Sequence, residues 1–337
     1  MRSSQISSTD SSKVLLLLPV CVLLSAVLSL CVGAVAVAPG DIAQALLLGK
    51  TDTVAAKIIL YTRLPRTLAA LLSGSALAVA GAVIQTVLCN PLAAPNIIGV
   101  NASAGLAVTL ACALAPMSAV ATPVIAFAGA LAGVLLVLAL SEMTGASRMT
   151  TVLSGVAVSN LFSAAIDAVV TLVPDALSGY SDFRIGGFAS VTMTRLAPAA
   201  ALILVSLALV MTLAQQMDIL ALGTQTAQSL GLAVRPVRLA LLVLAAALCG
   251  AAISFAGLLG FVGLIVPHMM RRLVGEESQR LMLACAMGGA ALVTLCDTLG
   301  RVLFAPYELS VGIVLSFAGV PFFLWLLLKK RGGHAGD

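Results

Sequence analysis

The sequence predicts an all-α integral membrane protein with about ten transmembrane helices in one compact bundle, and three features support this. Hydrophobic residues make up 61% of the 337 residues and charged residues only 9%, against about 25% charged in a soluble domain. Between Thr67 and Ser141 there is no Asp, Glu, Lys or Arg, and one membrane-spanning helix needs about 20 apolar residues. Gly and Ala recur within the apolar runs. Such small residues allow helices to pack closely where lipid provides no hydrophobic driving force.

Proline, glycine and charged residues divide the apolar runs into ten predicted spans. The first covers residues 14–37, which is longer than the apolar core of about 7 to 15 residues in a secretory signal peptide, so we assign it to a span. The other nine follow in order along the chain: residues 65–87, 97–115, 123–141, 149–173, 196–214, 239–256, 257–270, 281–299 and 310–328.

An even number of spans puts both chain ends on one side of the membrane. Assigning that side to the cytoplasm leaves more Lys and Arg inside than outside, which agrees with the excess of positive charge usual in cytoplasmic loops. Residues 1–13 and 329–337 are then cytoplasmic tails, and residues 14–328 form the multi-pass domain. Two loops are long enough to have a function of their own, an outer one at 39–63 and an inner one at 215–238.

The remaining composition excludes several kinds of site. The net charge of +5 comes from basic residues scattered singly along the chain, so we interpret them as topology signals and expect no nucleic-acid partner. The seven cysteines form no CxxC pair and lie in apolar runs, where they pack as small hydrophobic residues. The two histidines, His268 and His334, have no Cys or carboxylate at ligand spacing, which argues against a metal site.

One segment resembles a phosphate-binding loop but lacks a residue that this motif requires. Gly49-Lys50-Thr51 has the ending of that motif, but Gln44 stands where its first glycine is needed, and no strand precedes it. We therefore expect no enzyme activity and no bound cofactor in this chain, and any ATP hydrolysis has to occur on another subunit.

Ionisable residues inside a membrane are functional candidates by default. Asp167 and Asp297 fall within predicted spans, and an ion-gradient-driven secondary transporter would need such a carboxylate near the midplane. The predicted topology places both toward the outer ends of their spans. This transporter class stays open as an alternative, while a third class, a scaffold subunit of a membrane enzyme, has no motif in its favour.

Three arginines are predicted at the outer surface: Arg63 and Arg66 at the start of the second span and Arg301 between the last two. Arginine binds carboxylates through two parallel hydrogen bonds, so these side chains could hold acidic residues of an extracytoplasmic partner. Alternatively, the arginine side chains could only extend their charged ends to the membrane interface, without binding a partner.

The inner loop contains a short helix-like stretch, Ala227-Gln-Ser-Leu230-Gly231, in which the glycine would end the helix as a left-handed cap. A pair of short helices on the cytoplasmic face could insert into a motor protein. The same pattern also suits an amphipathic linker.

Several motifs in order along nearly the whole chain resemble the permease subunits of ABC importers for iron-siderophores, haem and cobalamin. They are Arg63-Leu-Pro-Arg66, Gly81-Ala-Val-Ile-Gln85, Asn90-Pro-Leu-Ala-Ala-Pro95 with Gly99, Ala227 to Gly231, Gly260-Phe-Val-Gly-Leu-Ile-Val-Pro-His268 with Arg271 and Gly275, Asp297 to Arg301, Glu308-Leu-Ser-Val-Gly312, and Gly319-Val-Pro-Phe322. The sequence departs from the family pattern at Ser310, where a proline is usual, and in the outer segment 183–188, which lacks the common tryptophan.

The resemblance implies a ten-helix permease of the bacterial inner membrane that dimerises around a central translocation path. Its implied partners are a second permease subunit, two cytoplasmic ATPase subunits that bind ATP and Mg²⁺, and a periplasmic binding protein. Arg63, Arg66 and Arg301 match the arginines that dock the binding protein. Residues 227–231 match the segment that couples to the ATPase.

The family's cytoplasmic gate lies in the turn before the fifth span. That turn contains Ser147, Arg148 and Thr150, which we therefore assign to the gate. The resemblance leaves open which chelate is carried and whether the permease dimer has identical subunits.

Overall fold

A computed structural model describes residues 8–33, 53–114, 121–143 and 148–331, together with residues 40, 42, 44 and 45. These residues are helices and their connections, which confirms the all-α prediction. The helices, in chain order, are α1 Ser8–Cys31, α2 Val54–Leu88, α3 Val100–Leu114, α4 Ala121–Met143, α5 Arg148–Leu172, α6 Ala176–Ile185, α7 Met193–Thr212, α8 Ala214–Ala221, α9 Thr224–Ser229, α10 Val234–Ala256, α11 Val262–Val274, α12 Ser278–Val302 and α13 Val311–Arg331.

Each of the ten predicted spans contains a helix, but the helices differ in length. Within the described residues, seven are long and apolar enough to cross a membrane: α1, α2, α4, α5, α7, α10 and α12. The apolar helices α3 and α13 are shorter over their described parts. Helix α11 has 13 residues and carries Arg271 and Arg272 in its last turn.

The predicted boundaries are wrong at the start of α2 and at the start of α11. Residues 54–63, predicted as part of an outer loop, are helical and continue into α2 through a π-helical turn at Ile59–Arg63. The span predicted at 257–270 begins at Val262 instead, because Gly257 ends α10 with φ +69° and packs against the backbone of Phe183. A positive φ is incompatible with the right-handed helix, and glycine adopts it at no steric cost, so α10 ends there.

Helices α2, α10 and α12 form the centre of the bundle, and most of their side chains are buried. Helix α2 packs against both α10 and α12, and α4, α7 and α1 pack around this group. Many residues at these contacts are alanines, including Ala76, Ala78 and Ala80 on α2, all fully buried. Short side chains allow the three backbones to lie close together in the membrane.

Two of the close approaches between helices occur at pairs of glycines. Gly74 of α2 lies against Gly289 of α12, and a Cβ at Gly74 would be 2.6 Å from the Gly289 carbonyl carbon. Gly81 of α2 lies in the same way against Gly263 of α11, with a Cβ there 2.5 Å from the Gly263 Cα. Real Cβ atoms essentially never come within 3.0 Å of another heavy atom, so these crossings require glycine.

Helix α12 joins the two ends of the bundle. Its first residue, Ser278, donates its backbone N–H to Asp218 of α8 at 2.9 Å, which satisfies one of the free N–H groups at a helix start. Its last turn carries Arg301. The short helices α8 and α9 therefore lie at one end of α12, and the three arginines lie at the other.

Candidate functional site

The arginines predicted at the outer surface form one cluster with two acidic side chains. Arg66 donates hydrogen bonds to Asp297 from two nitrogens: Nε lies 3.0 Å from Oδ2 and Nη2 lies 3.0 Å from Oδ1. Its third nitrogen, Nη1, donates to Glu308 Oε2 at 2.7 Å. The guanidinium of Arg66 is thus shared between a carboxylate of α12 and one from the α12–α13 connection.

Arg301 completes the cluster from one turn further along α12. Its Nε lies 3.3 Å from Asp297 Oδ2, close enough for an ion pair, although the geometry does not make a hydrogen bond. Its Nη2 donates to the backbone oxygen and the hydroxyl of Ser29 on α1, at 3.1 and 2.8 Å. The Ser29 hydroxyl also bonds with Thr67 of α2 at 2.8 Å, so the cluster joins α1, α2 and α12.

Arg63 lies beside this cluster and binds the end of α1. Its Nη1 donates to the backbone oxygens of Leu30 and Cys31, at 2.6 and 2.9 Å. The last carbonyls of a helix have no partner within the helix, and a cation is favoured there by the helix dipole. Arg63 therefore stabilises the C-terminal end of α1.

The structure brings the three predicted docking arginines together but does not leave them exposed. Their exposed fractions are 5% for Arg63, 7% for Arg66 and 4% for Arg301. Asp297 is 1% exposed, whereas the Glu308 side chain is 40% exposed. The docking role of the arginines stays a prediction, and Glu308 is the accessible member of the cluster.

The predicted glycine cap at the inner loop is confirmed. Gly231 has φ +82°, its N–H donates to Gln228 at 3.0 Å, and the next N–H, of Leu232, donates to Ala227 at 3.0 Å. This pair of bonds is the Schellman ending of a helix. It closes α9 and leaves Leu230 60% exposed, while Ala227 is fully buried.

The inner loop is mostly helical. Helices α8 and α9 occupy residues 214–229, and α10 begins at Val234, within the segment predicted as loop up to residue 238. A cavity of about 220 Å³ lies between α8 and the α9 cap, lined by Gln215, Gln216, Ile219, Leu230, Gly231 and Leu232. An exposed leucine beside a small cavity is a surface that another protein can contact.

The predicted gate falls only partly within the described residues. Ser147 lies outside them, and Arg148 is the first residue of α5. Thr150 is half-buried in the first turn of α5. The neighbouring Thr151 is buried, bonds with the Ser141 hydroxyl at 2.6 Å and accepts from Arg238 Nη2 at 2.8 Å.

The contact between Thr151, Ser141 and Arg238 links the end of α4, the start of α5 and the start of α10. Sequence reasoning missed it, because a single threonine beside the predicted gate carries no signal of its own. The residues next to the gate turn are therefore held by side-chain hydrogen bonds to the helix that follows the inner loop.

An open groove runs along the face of the bundle formed by α6, residues 258–260 and α13. Its volume is about 600 Å³, and its walls include Arg184, Gly312, Ser316 and Phe317. Phe317 is 79% exposed on this face. Most of the lining is apolar.

The two aspartates considered for ion coupling have different surroundings. Asp297 is paired with both Arg66 and Arg301, so the charge of its carboxylate is already balanced within the chain. Asp167 is exposed on α5, and its backbone oxygen accepts from Thr171 at 2.7 Å. Neither is therefore a buried carboxylate whose charge is left unbalanced, which is what a coupling site for an ion would require.

No group of three or more His, Cys, Asp or Glu side chains among the described residues is arranged to hold a metal ion. The seven cysteines are free thiols, and Cys249, Cys285 and Cys296 are buried in the helix core.

Comparisons with known proteins match the chain over nearly its full length. The model of the FecCD transport family matches residues 21–329. The hemin transport system permease protein HmuU of Yersinia pestis is 37% identical over 286 residues, covering 83% of this chain and 85% of that protein. The achromobactin transport system permease protein CbrC of Dickeya dadantii is 37% identical over 333 residues, covering 98% of this chain and 95% of that protein.

The fold is also similar to that of a solved structure. A metal-chelate type ABC transporter in an inward-facing conformation superposes with a TM-score of 0.84 at 28% sequence identity, covering 94% of this chain and 99% of that chain.

Proposed function

The chain belongs to the FecCD transport family, and we propose on that premise that it passes an iron chelate or haem from a periplasmic binding protein into the cytoplasm. The observation that carries this proposal is the match over nearly the whole chain to permeases of that class. The alternative of an ion-gradient-driven transporter loses its support because Asp297 is engaged by two arginines and Asp167 is exposed on α5.

The outer cluster suits the docking of a binding protein. It places three guanidinium groups and two carboxylates at one end of the bundle, with one of the carboxylates, Glu308, accessible from outside. The net charge of these five groups is +1, which favours an acidic partner. We assign docking to Arg63, Arg66 and Arg301 together, as the family resemblance implies.

At the opposite end, helices α8 and α9 suit contact with an ATPase subunit. The exposed Leu230, held by the Gly231 cap, supplies an apolar contact, and Ala227 fixes α9 to the bundle beneath it. Because Asp218 of α8 caps the start of α12, a movement of α8 is passed directly to a central helix. ATP and Mg²⁺ would be bound by two such ATPase subunits and not by this chain.

The groove beside α13 suits half of a translocation path. One of its walls is the exposed face of α13, and a second permease subunit placed there would enclose it. The path would then run between two permease subunits, with apolar walls that allow a bulky chelate to move. Ser147, Arg148 and Thr150, at the start of α5, are proposed to gate its cytoplasmic end.

The substrate class follows from the relatives, which are named for hemin and for achromobactin transport. We favour an iron chelate or haem over cobalamin on this basis. The chain would lie in the cytoplasmic membrane of a bacterium with both ends in the cytoplasm.

The test is reconstitution of the permease with its ATPase subunits in liposomes, with its periplasmic binding protein added outside. We expect uptake of radiolabelled ferric citrate, a ferric siderophore or haem that requires both internal ATP and the binding protein. Unlabelled competitors, including cobalamin, would identify the substrate. Uptake that proceeds without ATP and stops when a protonophore is added would refute the proposal in favour of the gradient-driven alternative.

A further inference from the structure

The guanidinium of Arg66 has an inner and an outer side. The inner side is fixed by Asp297, which receives Nε and Nη2 and is 1% exposed. The outer side consists of Nη1, which is bound by Glu308. A carboxylate that is 40% exposed can leave for water at small cost, because hydration replaces the bond that it loses. A buried carboxylate such as Asp297 cannot.

The position of Glu308 allows its side chain to move while the backbone stays in place. It lies in the connection between α12 and α13, where the N–H of the next residue, Leu309, donates to Gly300 of α12 at 2.9 Å. The preceding side chains Phe304 and Tyr307 are 58% and 81% exposed. The segment is therefore anchored at its base and presents Glu308 next to exposed aromatic side chains.

Arg301 offers a second donor in the same place. Its Nε and Nη2 face Asp297 and Ser29, while its Nη1 makes no hydrogen bond with any residue that the structure describes. An incoming carboxylate thus meets one donor that is free and one that is held by an exposed glutamate.

We propose that Glu308 occupies the place of a carboxylate from the binding protein, and that an acidic side chain of that protein displaces it from Arg66 Nη1 on docking. This rests on the proposed function. Asp297 is then a positioning residue, because it holds the other two nitrogens of Arg66 throughout the exchange. Glu308 lowers the affinity of docking, since its negative charge stays close to the arriving carboxylate.

The experiment measures the affinity of the binding protein for the complete transporter in lipid nanodiscs, comparing wild type with Glu308→Gln. Removal of the charge raises the net charge of the cluster from +1 to +2 and replaces the ion pair at Arg66 Nη1 with a weaker hydrogen bond to a neutral amide oxygen. We expect binding about two- to five-fold tighter, the range that corresponds to one partly exposed ion pair. Because Glu308 is accessible and its partner stays bound to Asp297, the variant should assemble normally.

Two controls separate this effect from others. Glu308→Asp keeps the charge and should stay within about two-fold of wild type. Asp175→Asn removes an exposed carboxylate in the connection between α5 and α6 and should leave the affinity unchanged. A Glu308→Gln affinity equal to or weaker than wild type would overturn the proposal, and so would equal tightening by Asp175→Asn. Absence of any binding to the wild-type transporter would overturn both this inference and the proposed function.

Discussion

The contact between Gly74 and Gly289 can be tested by adding one methyl group. In Gly289→Ala the new Cβ would lie 2.6 Å from the Cβ of Ala78, which is 0.8 Å short of the 3.4 Å at which ordinary van der Waals contact begins. It would also overlap the backbone oxygen of Gly74. Backbone atoms in the centre of a bundle cannot rotate away, so α2 and α12 have to separate.

The expected cost follows from two opposing effects. Alanine in place of glycine gains up to about 1 kcal/mol of helix propensity, whereas overpacking a close contact costs about 1 to 3 kcal/mol and more where backbone is involved. We expect a net loss of about 2 kcal/mol. That corresponds to a fall of about 4 °C or more in the melting temperature, by the scaling for domains of 150 to 250 residues.

The assay is thermal unfolding of the purified permease in detergent, followed by loss of the monodisperse peak in size-exclusion chromatography. Gly105→Ala is the matched control, because it also lies within a helix but its Cβ would meet only side-chain atoms of Ile166 and Tyr180, at 3.3 Å and beyond. Equal melting temperatures for Gly289→Ala and Gly105→Ala would refute the close approach of α2 and α12.

Three further substitutions probe the cluster, the inner cap and the core. Asp297→Asn leaves two buried guanidinium groups without their shared carboxylate and should destabilise the protein by about 3 to 5 kcal/mol, whereas the exposed Asp167→Asn should change the melting temperature little; equal effects would contradict the ion-pair network. Gly231→Ala strains the φ of +82° by about 1 kcal/mol and should lower ATP-dependent uptake, with Gly231→Asn retaining more activity; unchanged uptake in the alanine variant would count against coupling through this turn. Gln85→Leu removes the buried amide that donates to the Gly263 oxygen and accepts from Arg271, and should cost about 1 to 3 kcal/mol of stability; a melting temperature equal to wild type would show that the amide does not join α2 to α11.

Most of the helices could be predicted because the membrane limits which backbone structures an apolar segment can adopt. Only a helix satisfies its own backbone in lipid, so each apolar run of sufficient length had to be helical. The failure at Val54 to Arg63 has a physical reason: Lys57 and Arg63 suggest a loop, but the side chain of Thr53 accepts the N–H of Ala56 at 3.1 Å and starts a helix. That N-cap is visible in the sequence and marks the true start of α2.

The candidate site could be predicted in part. The residue types at Arg63, Arg66 and Arg301 indicated carboxylate binding, and the glycine at Gly231 indicated a helix end. Their burial could not be predicted, because Arg66 and Asp297 are 231 positions apart in the sequence, and their contact depends on how α2 packs on α12. The spacing of Asp297 and Arg301, four residues apart on one helix, was the local signal for an ion pair.

The contact with α2 at Gly289 divides helix α12 into two parts of nearly equal length. The helix has 25 residues, about 37 Å of rise, and it touches α2 most closely at Gly289, near its midpoint. Ser278, held by Asp218, lies about 17 Å from that point on one side, and Arg301 lies about 18 Å from it on the other. If α12 turned about this contact as a rigid rod, a shift of 1 Å at the Asp218 end would move the arginine cluster by about 1 Å in the opposite direction.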